Sequence, residues 1–125
     1  MKYDPMRNPD PEAWLELGEY ERIQLVEQYH RRQKIRMPSL KAHSVIHTVV
    51  ENQVAMGDSY LAKGVLERLM NEGLDRHEAV HCIGSVVAGQ MFAAMKGTAK
   101  TDLKPDYDWK LLRLTAKSWK ESHRD

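Results

Sequence analysis

Apolar residues recur at helical spacing along most of this chain. Trp14, Leu17, Leu25, Val26 and Tyr29 fall close to a 3.6-residue period, and the spacing predicts a first helix near Asp10–Arg36. Asp10 suits its cap and Pro11 its first position, where the missing N–H costs nothing. Pro38 should stop it, and Ser39 should cap a second helix over Ser39–Ala55 that carries Val45, Ile46, Val49, Val50 and Val54. The valine-rich run lacks the alternation of a strand. A third helix is expected over Asp58–Asn71, with Asp58 as its cap and Leu61, Val65, Leu66, Leu69 and Met70 on its apolar face. Gly73 offers a left-handed stop and Asp75 a new start, so a fourth helix is expected over Asp75–Lys96. Pro105 marks a linker, and a short helix should follow over Asp108–Trp119. Helices on short connections pack antiparallel. The expected fold is therefore all-α, an up-and-down four-helix bundle with an additional short C-terminal helix.

A chain of 125 residues suits one domain. Residues 1–125 are expected to form it, with 1–9 and 120–125 loose. Leu111, Leu112, Leu114 and Trp119 need cover, which the last helix finds either back on the bundle or across the partner of a homodimer. The formal net charge of +1 gives no gross argument for nucleic acid. No apolar run is expected to span a membrane, and the start, "MKYDPMRNPDPEAW", lacks the apolar stretch of a signal peptide. A single cysteine, Cys82, forms no internal disulfide and reads as a buried, inert thiol. These features fit the cytoplasm.

The polar residues carry a sharper pattern. Five of the six histidines lie near two helix junctions that a bundle brings to the same end: His30, His43, His47, His77 and His81. His43 and His47 are four apart, so both imidazoles leave one helix face, and His77 and His81 repeat that spacing. Two such pairs supply four nitrogen ligands, and imidazole suits zinc, iron, nickel or copper. Glu51, one turn beyond His47, is a candidate ligand or an acceptor for a ligand's second ring nitrogen. The candidate metal ligands are thus His43, His47, His77, His81 and Glu51, with zinc or iron as the expected ion.

Other arrangements compete. Glu27-x-x-His30 and Glu78-x-x-His81 have the spacing used in di-iron carboxylate bundles, with Glu51 and either Glu67 or Glu72 as further carboxylates. "HEAVH", from His77 to His81, also matches the H-E-x-x-H of zinc peptidases, which makes Glu78 a candidate general base and the chain a candidate metal-dependent hydrolase. The sheet and cleft of such peptidases are not foreseen here. A metal-free reading treats the histidines as a polar network satisfied by Glu51, Asn52 or backbone carbonyls. In that case the protein is a structural or interaction module, and the basic run from Arg31 to Lys41 becomes a candidate phosphate contact for nucleic acid. The same cations also suit a helix C-terminus.

"HSVIHTVVENQ" and "RHEAVHCIG" together resemble a functionally uncharacterised bacterial family of small all-helical proteins with paired H-x-x-x-H helices. His43 and His47 match the first pair, Gln53 the glutamine that follows it, and His77 and His81 the second pair. The glutamate register differs, because Asn52 separates Glu51 from Gln53. The match covers about residues 40–88. It implies a helical fold and a shared histidine pattern, and it implies no activity. A weaker likeness, to metal-dependent helical bundles of the damage-inducible type, carries no residue over.

Overall fold

The computed structural model describes residues 1–35, 37, 39–97 and 103–122. Arg36 and Pro38, named above, and His123, the sixth histidine, lie outside the described residues. The fold is all-helical, with seven α-helices and one 3₁₀ turn among the described residues. They are α1 (Pro11–Glu16), α2 (Glu19–Arg32), α3 (Leu40–Ala55), the 3₁₀ turn Gly57–Ser59, α4 (Ala62–Asn71), α5 (Arg76–Met95), α6 (Leu103–Arg113) and α7 (Ala116–Ser122). The expected bundle of four helices plus one is therefore wrong: two of its helices are each divided.

The first division falls at Leu17 and Gly18, which are both extended. Gly18 begins α2, and the Glu21 carboxylate accepts from its backbone N–H. The G-x-x-E spacing is a start signal inside what reads as one continuous stripe. Arg22 then reaches back and donates to the carbonyls of Leu15 and Leu17, so the orphaned end of α1 is satisfied. The second division falls at Leu114 and Thr115, where the Thr115 hydroxyl accepts from Ser118 N–H and starts α7. Pro105 is not in a linker. It stands in the first turn of α6, where its missing donor is harmless.

Elsewhere the caps follow the sequence. Asp10 accepts from Ala13 N–H, Ser39 from Ala42 N–H and Asp75 from Glu78 N–H. Asp58 caps nothing: it sits in the 3₁₀ turn, and α4 begins only at Ala62. Gly73, at φ 115°, lets Leu74 N–H reach the Leu69 carbonyl and closes α4. The same closure ends α2, where Ile35 N–H reaches the His30 carbonyl. There the left-handed residue is Lys34, at φ 55°.

Helices α3 and α5 pack against each other, with α4 and α6 completing an apolar core around Val50, Leu66, Leu69, Ile83 and Leu111. By length and composition alone, α5 is apolar enough to cross a membrane, contrary to the expectation that no run would be. In the fold it is a core helix, burying Ala79, Val80, Cys82, Ile83 and Val87. Burial pushes the Cys82 thiol up to about 11, in line with an inert role. Leu111 is buried within the chain, while Leu112 stays exposed. A second cluster joins Tyr3, Trp14 and Val26. Within the first nine residues, Tyr3 is only 2 % exposed, and Arg76 donates to the Pro5 carbonyl and to Asn8. At the other end α7 runs to Ser122.

Candidate metal centre

The junction of α2, α3 and α5 collects five imidazoles. His30 comes from the last turn of α2, His43 and His47 from the first half of α3, and His77 and His81 from the first two turns of α5. Ring centroids lie 4.7 Å apart for His43–His47, 4.4 Å for His77–His81 and 4.8 Å for His47–His81. The two pairs are staggered about a centre: His47 meets both His77 and His81, and His43 meets His81. His30 adds a ring 4.7 Å from His43 and 5.1 Å from His47.

Two sets of donors are close enough to coordinate a metal ion: His30, His43 and His47, and His47, His77 and His81. Within each set one ring nitrogen per residue lies within 4.8 Å of the others. His47 belongs to both. Its Nε2 is 2.8 Å from Nε2 of His81. Two nitrogens bound to one ion at about 2.0–2.1 Å lie about 2.9–3.4 Å apart at octahedral to tetrahedral angles. The observed spacing is within a small adjustment of that.

The outer contacts orient the rings. His30 Nδ1 is 2.8 Å from the Val26 carbonyl, which can only accept, so Nδ1 carries the proton and Nε2 keeps a free lone pair. His47 Nδ1 is 3.2 Å from the Tyr3 hydroxyl, which donates its own proton to Glu51 at 2.5 Å. Tyr3 therefore accepts from His47, and His47 Nε2 is also left bare. Burial, then the Glu51 charge and its hydrogen bond, raise the Tyr3 hydroxyl well above its ordinary range, so it stays a neutral donor. Glu51 is held by Arg76 through two hydrogen bonds of 2.7 and 2.8 Å, and both residues are at most 2 % exposed. Burial works against the Arg76 charge, but Glu51 outweighs it and raises its pKa. Such a carboxylate–hydroxyl–imidazole chain is the kind of support that fixes a metal-ligating histidine.

Burial, and then neighbouring imidazoles, disfavour protonation of His43, His47, His77 and His81. His43 is pushed down to about 4 and His81 to about 3. His47 and His77 are lowered as well, chiefly by burial. These four rings are thus neutral and available as ligands near pH 7. Nε2 of His30, His43 and His77 is buried without a hydrogen-bond partner in each case.

The predicted residues are thus sorted. His43, His47, His77 and His81 are brought together. Glu51 is next to them, with both oxygens taken by Arg76 and Tyr3. Glu78 closes the capping box of α5, its Oε1 facing the Asp75 N–H, and belongs to neither donor set. The carboxylates of the di-iron alternative are engaged elsewhere: Glu27 with Lys41 and Arg31, Glu67 with Lys63, and Glu72 with Arg68 and the Ala116 N–H. In the basic run, Arg31 and Lys41 pair with Glu27, and Arg32 donates to the Tyr3 carbonyl. Sequence reasoning missed Arg76 and Tyr3, and it placed His30 with the other histidines but left it out of the expected ligand set. Arg76 was visible as the residue before His77. Nothing local marks Tyr3. Comparison with family models, curated proteins and solved structures finds no match for this chain.

Proposed function

We propose that the protein binds a single transition-metal ion, zinc or iron, in the histidine cluster. The observation that carries this reading is the set of three buried, unpartnered ring nitrogens on His30, His43 and His77. An unsatisfied buried polar group costs about 1–3 kcal/mol. Three in one place form a poor polar network; an ion in the His30/His43/His47 set removes two of these costs, and one in the His47/His77/His81 set removes the third. The depressed imidazole pKa values support the same reading, since the ion requires neutral rings. His47 has one inward nitrogen, so only one of the two donor sets is complete at a time. Glu51, Tyr3 and Arg76 act as the outer support of His47 rather than as ligands. The hydrolase alternative gains nothing from Glu78, whose carboxylate serves the helix start.

The test is metal analysis of protein purified without an affinity tag or added metal, followed by zinc or iron titration of chelator-treated samples. About one equivalent per chain is expected, with a rise in thermal stability. Less than about a tenth of an equivalent, with no stabilisation by either ion, sinks the proposal.

A further inference from the structure

A cavity of about 300 Å³ opens beside the histidines, walled by His43, His47 and His81 on one side and by Val80, Ala88 and Trp119 on the others. Its origin is legible on α5. His81, Gly84, Ser85 and Ala88 follow one another at helical spacing on one face, so the histidine stripe continues as small residues that leave space. Trp119 of α7 helps close the hollow. The cavity touches both donor sets. It is lined by His47, which they share, and by one further member of each, His43 or His81. An ion held by either set therefore has two of its ligands in the cavity wall, with His30 or His77 behind.

Among the described residues, the lining contains no Lys, Arg, Asp or Glu. Ser85 already donates its hydroxyl proton to the Cys82 carbonyl. The ion would supply the charge that recognises a polar head group there, while Val80, Ala88 and the Trp119 ring favour hydrocarbon. A dication among neutral imidazoles leaves net positive charge, so the head group it draws is an anion. The volume is at the lower end of the range for ligand sites, about 300–1,000 Å³.

Resting on the metal-site reading above, we infer that this cavity binds a small monocarboxylate, with the carboxylate on the ion and a short hydrocarbon tail against Val80, Ala88 and Trp119. The probe is full-length protein loaded with cobalt(II), whose visible absorption reports its ligands. Acetate, butyrate and hexanoate are titrated in turn. Affinity should rise with chain length, by up to about fourfold per methylene while the tail is being buried. Ala88→Leu should fill the cavity and abolish the advantage of hexanoate over acetate, with cobalt uptake measured on the same sample to separate a filled cavity from a failed fold. The unsubstituted series decides by itself if that variant does not fold. Equal affinity for acetate and hexanoate, or an absorption band that none of them moves, overturns the cavity assignment and leaves the ion site standing. Failure to take up cobalt, zinc or iron overturns the ion site and this inference together.

Discussion

The two interiors of this molecule are built on opposite terms. Around α4 and α5 the core is apolar, with Leu69, Ile83 and Leu111 fully buried. Around the start of α3 the interior holds His30, His47, Glu51 and Arg76, each no more than 2 % exposed. The first is stabilised by removing hydrocarbon from water, and needs nothing else. The second is stable only where every charge and ring nitrogen has a partner. Glu51 and Arg76 have theirs inside the chain. Three of the imidazoles do not. The polar interior should therefore answer to metal and to pH, and the apolar interior to neither.

The largest effect is expected at Arg76. Arg76→Met strands the Glu51 carboxylate in the interior, and breaking a buried pair from one side costs about 3–5 kcal/mol. Denaturant unfolding should show it, and the double variant E51L/R76M should lose less than the sum of the single changes. Additive losses would mean that the pair is not coupled as the geometry indicates. Leu69→Ala should cost about 2–5 kcal/mol by leaving a cavity. Its stabilisation by zinc should match that of the unsubstituted chain, because the apolar interior does not hold the ion.

His47→Ala provides the contrast. At a free zinc concentration a hundredfold above Kd, the unsubstituted chain should gain about 2.7 kcal/mol, and the variant most of none. An undiminished gain in the variant would remove His47 from the site. Acid acts on the same interior more gradually. The folded-state values of His43 and His81, about 4 and about 3, lie below the ordinary histidine value of about 6.5. Between those limits the unfolded chain binds more protons than the folded one, so stability falls as pH falls. Metal-free protein should keep its melting temperature above pH 7 as far as these groups are concerned, and lose it progressively from about 6.5 towards 4. His43→Asn should show a shallower slope over that range, and an unchanged slope would contradict the assignment. The smallest effect is at the cap of α2. Lys34 is left-handed there, at φ 55°, and Lys34→Gly should raise stability by about 1 kcal/mol. A lower melting temperature in that variant would show that the Lys34 side chain matters more than its backbone strain.

How much of this was legible beforehand follows from the range of each interaction. Helical spacing and caps are local, so the all-helical class, the starts at Asp10, Ser39 and Asp75, and the stop at Gly73 could be read directly. The i,i+4 pairs His43/His47 and His77/His81 were legible for the same reason, because four residues of helix put two side chains on one face. The divisions at Gly18 and Thr115 were missed although their signals are local. The apolar stripe runs across each break, and periodicity does not register the pause.

What lay beyond the sequence is every contact between distant segments. Tyr3 is 44 residues from His47 and 48 from Glu51 along the chain, and no pattern near it announces either partner. Arg76 and Glu51 are 25 apart, and their pairing depends on how α5 meets α3. "HEAVH" suggested a catalytic glutamate, but the fold uses Glu78 to satisfy a backbone N–H at a helix start. A sequence specifies which groups share a helical face, because covalent geometry sets that spacing. Which faces then meet, and whether a buried nitrogen finds a partner, is decided only when the packed helices exclude water.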